Sequence, residues 1–363
     1  MLARFLFLPL LIALTGAAPG IAYAQAAGAR GDDFLYKIMP NDTLTALAGR
    51  FTSGAGNWGR LQALNAVQDP TKLAIGREIK IPFSMIPERP ASALVTHVSG
   101  QASVDGRALR TKDQVPEGKT VRTGANGFAT LQLDDGSLLS IPPESTLEIK
   151  RLRVFKGAGL TDSVISMKQG SVESTVAPKE TGVGRFEVRT PLSITGVRGT
   201  RLRVHASSRG AQSEVLKGVA HITSEQAQNA TLHQDQGTAI DAQGKLLGIR
   251  PLLPPPNLPA STGKSGRQSM RFPAVAAASS YLVRVSSDKA GADLVSSQSF
   301  DKPDITFGAP GPGTYYVAVR AIDSLGIGGR DAQRAFLGAS VLHSSDGAPI
   351  LAGDGSYVLL TDY

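Results

Sequence analysis

From Leu94 to about Gly248 the chain is a succession of short runs in which apolar and polar residues alternate, separated by glycine-containing turns. Nothing else in the sequence constrains the fold as strongly. Alternation at period two places one set of side chains on one face of a strand. It cannot give a helix a continuous apolar stripe. Leu94-Val-Thr-His-Val-Ser-Gly100, Gln101 to Gly106, Phe128 to Leu133, Leu138 to Ile141 and Thr146 to Ile149 follow one another, with Asp135-Gly136 turning the chain. Val164 to Met167, Phe186 to Val188, Leu202 to Val204 and Val219 to Ile222 continue the series. Short strands at this spacing predict an all-β domain over 94–248, built as a sandwich, a roll or a solenoid.

The flanking segments differ. Residues 33–83 read as β-α-α-β. Leu44, Leu47, Ala48 and Phe51 fall at i, i+3, i+4 and i+7, which sets them on one helical face. Asp42 or Thr43 stands where a cap would accept from free backbone N–H groups. Trp58, Leu61 and Leu64 continue the apolar spacing in a second short helix, and Trp58 is read as a core residue. Leu35 and Ile38, with Ile79 and Ile81, mark the paired strands, while Pro70 and Gly76 bend the loop between them. Five prolines between Pro251 and Pro259 make residues 249–268 a stiff spacer. Residues 269–342 alternate again at Tyr281, Val283 and Val285 and from Tyr315 to Ile322, which predicts a β-sandwich. Residues 343–363 read as a tail. The chain is therefore expected to be multi-domain and mainly β.

The N-terminus has the three parts of an export signal. Arg4 is positive, Phe5 to Leu14 are apolar, and Ala22-Tyr23-Ala24 supplies a cleavage site. Residues 1–24 are expected to be removed after Ala24, which points to the periplasm. The apolar run is about half the roughly 20 residues that a membrane span needs. The chain has no cysteine. That excludes disulfides, thiolate ligands, a cysteine nucleophile and a lipid-modified cysteine. The formal net charge is +8. In an exported chain this fits attraction to an anionic wall polymer or membrane surface better than nucleic acid, and solubility alone explains it equally well.

Phe34 to Pro82 carries, in order, an Asn41-Asp42-Thr43-Leu44 turn, the helical spacing, Asn65, Asp69-Pro70, Leu73, Gly76 and Ile81-Pro82. This set resembles the LysM module. The family normally has glycine where Asn41 stands, and asparagine also tolerates positive φ. The resemblance implies a shallow groove that binds peptidoglycan or another glycan containing N-acetylglucosamine. One side would be Asn41, Asp42, Thr43 and Leu44, and the other Pro70, Thr71, Lys72, Leu73, Ala74 and Ile75. Turn backbones would meet the amide of the acetamido group, and Leu44, Leu73 and Ile75 would cover its methyl. The plainer reading gives these residues to the turns and the core.

Val98-Ser-Gly-Gln-Ala, Val121-Arg-Thr-Gly124, Leu133-Asp-Asp-Gly-Ser137 and Thr190-Pro191 through Val197-Arg198-Gly199-Thr200 resemble the FecR domain. The implied role is a periplasmic module for protein contact. Gly196 and Gly199 suit backbone conformations closed to other residues, and Arg198 is read as a surface arginine on a turn. Arg185, Arg189, Arg201 and Arg203 are expected to form a solvated basic face. The last domain resembles fibronectin type III, with Phe272 in the place of an early core tryptophan.

Catalytic signals are missing. The five histidines lack metal-ligand spacing. There is no Gly-x-Ser-x-Gly elbow. Gly263-Lys264-Ser265 has Leu258 where a phosphate loop needs glycine. The expectation is a non-enzymatic envelope protein with no catalytic residue, metal or cofactor. It would bind peptidoglycan and an envelope protein. The alternatives are a periplasmic component of FecR-type signalling, or an accessory subunit of a wall hydrolase or secretion assembly.

Overall fold

The computed structural model describes residues 26–30, 33–157, 160–177, 183–197, 199–264, 267–309 and 311–338, with isolated positions beyond 341. The export signal, Arg198 and nearly all of the tail lie outside the described residues.

The N-terminal module pairs Asp33–Lys37 with Glu78–Pro82, so that Phe34 faces Ile81 and Tyr36 faces Ile79. Alternation buries Ile79 and Ile81 and exposes Glu78 and Lys80. The inward residues of the first strand include Phe34 and Tyr36, and Ile38 just beyond it joins the same core. An added strand, Ala26–Arg30, pairs with the outer edge of Asp33–Lys37. Helix α1, Leu44–Phe51, begins at Thr43, whose hydroxyl accepts from the Ala46 N–H. All four predicted positions of α1 are buried. Phe51 packs against Phe34 and Tyr36 with ring centroids 5.2 and 5.1 Å apart. In α2, Trp58–Leu64, only Leu61 is buried. Trp58 is 38% exposed and Leu64 55%, which corrects the core reading of Trp58. The helix spans just seven residues, and one contact stripe turns Leu61 inward while Trp58 sits at its first, outer turn.

Among the described residues, eighteen strands between Glu88 and Pro251 form two sheets joined by one shared strand. The first sheet runs in the order 107–108, 102–104, 120–123, 146–155, 161–175, 183–189, 193–197, 219–224 and 229–233, with 88–90 added beside 146–155. The second runs 114–116, 92–99, 128–132, 138–141, 161–175, 201–207, 210–217, 236–241 and 246–251. Beyond the shared strand, successive hairpins alternate between the sheets. Side chains from both sheets, among them Leu147, Ile165, Val188 and Ile222 from the first and Leu131, Val172, Val204 and Val215 from the second, fill one core. The arrangement is thus a two-sheet sandwich. Thr161–Thr175 pairs with 146–154 in its first half and with 201–206 in its second. The change of sheet falls at Gly170, where φ is +93°. A Cβ there would lie 2.4 Å from the Ser145 Cα, so glycine is required on two grounds.

The C-terminal module is a second β-sandwich. One sheet holds 262–264, 267–271 and 304–308. The other holds 294–300, 280–286, 313–322 and 332–338 in that order. Val283, Val285, Val317 and Val319 meet Met270, Ile305 and Phe307 between the sheets, and Phe272 stands edge-on to Tyr281 at 5.1 Å. The Pro-rich segment before it is packed, with Leu252 and Leu258 buried. The Leu253 and Leu258 carbonyls accept from the Arg330 N–H and the Arg334 Nε.

Candidate functional site

The sequence placed a groove on the two loops that flank α1 and α2. In the fold these loops touch. The Leu44 N–H donates to the Pro70 carbonyl at 3.0 Å, and the Gly76 N–H donates to the Ile38 carbonyl at 2.9 Å. The first loop turns at Asn41, whose φ is +69°, so asparagine takes the left-handed position that glycine would otherwise hold. Asp42 fixes this turn. Its Oδ2 accepts from the Met39 N–H at 2.7 Å and the Tyr36 hydroxyl at 2.8 Å. Burial, and then the Asp42 hydrogen bond and charge, push the Tyr36 hydroxyl up to about 12, so it remains a donor at neutral pH. Thr43, and not Asp42, caps α1.

The second loop is held by Asp69, whose Oδ1 accepts from the Thr71 N–H at 2.9 Å and the Thr71 hydroxyl at 2.6 Å. Those two bonds hold the Asp69 carboxyl below its ordinary value. The loop closes through Arg77 N–H to the Ala74 carbonyl and Gly76 at φ +84°. Asn65 ties α2 to the last strand by bonding both the N–H and the carbonyl of Lys80.

The ten residues do not share one environment. Asn41, Thr71, Lys72, Ala74 and Ile75 are exposed, and Asp42, Thr43, Pro70 and Leu73 are half-buried. The Leu44 side chain is in the core, so only its backbone reaches the loop surface. Leu73 packs against that core from one side. Ile75 is 69% exposed. Met39 and Trp58 are further exposed apolar side chains of this module that the sequence reading left out of the surface. Helical spacing had assigned Trp58 inward, and Met39 lies in a loop without periodicity.

A second set of functional-looking residues belongs to the other face of the middle module. Arg203 is not on a solvated basic face. It is buried with Glu173 where the second sheet meets the four-stranded sheet of the C-terminal module. Glu173 accepts from Arg284 and Arg201, each at 2.8 Å, and lies 3.4 Å from Arg320. Arg203 donates to Glu214 at 3.3 Å and to the Gly329 carbonyl at 2.9 Å, and it also pairs with Asp331. Arg320 donates to Asp331 at 2.8 Å. Burial pushes the Glu173 carboxyl up, but Arg284, Arg203, Arg320 and Arg201 together hold it well below the usual range. Asp331 is likewise depressed by Arg203, Arg320 and Arg284 against the cost of burial. Glu214 goes the other way, because burial outweighs Arg203 and the Gly328 N–H. Burial, Arg203 and Arg284 push Arg320 down to about 10, where it remains a cation at neutral pH.

The other arginines of the expected basic face are paired as well. Arg185 forks onto Asp162, and Arg189 reaches Glu187 at 2.6 Å. Gly199 has φ +59°, as expected, whereas Gly196 lies in an ordinary strand outside the left-handed region. Among the described residues, no helix is long and apolar enough to cross a membrane.

Comparison with known proteins agrees with the two modules read from sequence. The family model described as LysM domain matches residues 36–82, and the model described as FecR protein matches residues 119–221. No curated protein matches the chain. A protein from Parabacteroides distasonis described as an anti-sigma factor has two solved structures similar to this chain. Each shows 15% identity over 36% of this chain and 59% of that chain, with a TM-score of 0.31. Both matched segments end before the C-terminal sandwich. The chain thus carries a LysM domain at 36–82 and a FecR domain at 119–221.

Proposed function

We propose that this is an exported, non-enzymatic protein of the cell envelope that holds peptidoglycan through its LysM domain. Its FecR domain and C-terminal sandwich present surfaces for other envelope proteins. The observation that carries the reading is the Leu44 to Pro70 hydrogen bond, which joins the two loops of the LysM domain into one surface. That surface mixes exposed backbone turns with the apolar Ile75. An acetamido sugar needs both, because it offers one N–H, one C=O and one methyl group. A single copy of such a shallow site binds weakly, and copies presented along a polymer gain through effective concentration.

The C-terminal module is read as fibronectin type III-like. Its seven strands divide three and four between two antiparallel sheets, and Phe272 fills the early core position. A second reading, a periplasmic part of FecR-type signalling, is favoured by the FecR match at 119–221.

The test is sedimentation of the mature chain with insoluble peptidoglycan. Wild type should pellet, and Ile75→Glu and Lys72→Glu should remain largely in solution with unchanged circular dichroism. Equal pelleting of the folded variants would sink the groove. Soluble muropeptides released by the pure protein would overturn the non-enzymatic reading. Co-elution of a membrane-bound regulator would move the balance toward signalling.

A further inference from the structure

A cleft of about 420 Å³ lies where the LysM module meets the first sheet of the FecR region. One wall is apolar. Phe83 and Phe155 stack there with centroids 4.6 Å apart, beside Ile86 and Pro87. The other wall is charged and made of Glu88, Arg151, Asp162 and Arg185. Asp162 anchors it, with a side chain only 5% exposed. Arg185 grips both Asp162 oxygens at 2.6 and 2.7 Å. The Nε of Arg151 also donates to Asp162, and its Nη2 reaches Glu88 at 2.6 Å.

These bonds fix the guanidinium of Arg151 without exhausting it. Its Nη1 has no protein partner among the described residues, and the side chain is one-third exposed, as is that of Glu88. The wall holds two cations and two anions, so net charge does not attract a ligand here. Directed hydrogen bonds must do so. A fixed N–H donor, an exposed carboxylate acceptor and a stacked aromatic pair together suit a ligand with three matching parts. The volume is within the usual range for small-molecule sites, about 300–1,000 Å³.

We propose that this cleft binds the free carboxyl end of a short peptide with a small apolar last residue, of the kind that hangs from a wall glycan. The terminal carboxylate takes the Arg151 Nη1 hydrogens in a charge-assisted bond. The last peptide N–H donates to Glu88, and the small side chain covers Phe83. The anchored guanidinium is pre-ordered, which lowers the entropy lost on binding. The choice of a wall peptide rests on the proposed wall-binding function. The site would make the junction a second, peptide-reading contact beside the sugar groove.

Calorimetry on the mature full-length chain tests this, using an acetylated tripeptide that ends in D-alanyl-D-alanine and the same peptide amidated at its C-terminus. The free acid should bind at least about tenfold tighter than the amide. Ser84→Trp fills the cleft from an exposed position and leaves the ion set intact. It should abolish peptide binding with no change in thermal midpoint. Arg151→Lys keeps the charge but loses the fork, and should weaken the acid more than the amide. Ile75→Glu should bind peptide as wild type does. Peptide binding by a chain whose Ile75→Glu variant pellets as wild type does would support the cleft and sink the sugar groove. Equal binding of acid and amide, no binding at millimolar peptide, or wild-type binding by Ser84→Trp would each overturn the proposal.

Discussion

The FecR region is joined to its two neighbours by seams of opposite chemistry. Toward the LysM domain the seam is apolar. Phe155 and Leu160 are part of the LysM core itself, and Phe83 stacks on Phe155. Toward the C-terminal sandwich it is largely ionic, with Glu173, Glu214 and Asp331 set among Arg201, Arg203, Arg284 and Arg320. A small apolar patch of Ala239, Leu252 and Ile327 lies alongside. The difference teaches how each seam fails. Apolar contact is lost roughly in proportion to the area removed. A buried charge set is nearly neutral as a whole against an apolar replacement, yet losing one member leaves the others uncompensated. This seam already leaves Arg203 Nε, Arg284 Nε and Gln212 Oε1 buried without a hydrogen bond, so it has little slack.

The largest expected effect comes from breaking the ionic seam at its centre. Glu173→Gln removes the carboxylate that all four arginines approach, leaves them only Asp331 and Glu214, and should cost about 3–5 kcal/mol. Urea unfolding of the full chain would show it, with early protease cleavage between the modules. Little change in either would mean that the seam is not a charge-balanced unit. Phe155→Ala should cost about 3 kcal/mol by opening a cavity shared by the LysM core and its neighbour. Hydrogen exchange should then quicken in the LysM domain and stay unchanged at the Gly328 N–H, which donates to Glu214 across the other seam. Quickening at both places would show that the seams are coupled.

Acid should separate them further. The depressed carboxyls of Glu173 and Asp331 stabilise the folded form at pH values above their unfolded ones, about 4. That contribution is lost as pH falls through the folded values. Glu214 is raised, so its contribution runs the other way and is lost as pH rises through its folded value. With two groups against one, the ionic seam should loosen below about pH 4, while the apolar seam holds. Exchange at the Gly328 N–H as a function of pH tests the order. The smallest effect is expected away from both seams. Thr43→Ala removes the α1 cap and should cost about 1 kcal/mol, read as a shift in the LysM thermal transition with both seams intact.

Local chemistry made much of this protein legible from its sequence. Leu44, Leu47, Ala48 and Phe51 lie inward because helical spacing alone puts them on one face. Phe128–Gln132 and Leu138–Ile141 form the expected hairpin because a turn and period-two alternation set its register. Asn41 takes positive φ in the turn where it was expected to. Tertiary structure decided the rest. Alternation says that Arg203 points away from the FecR core, but not that another sheet covers it. Its neighbours Arg284 and Arg320 come from strands far along the chain, and no local pattern links them to Glu173. The exposure of Trp58 and the cleft at Asp162 follow from the same cause. A sequence encodes which face a side chain takes through its near neighbours, whereas what lies against that face depends on contacts made only when distant segments pack.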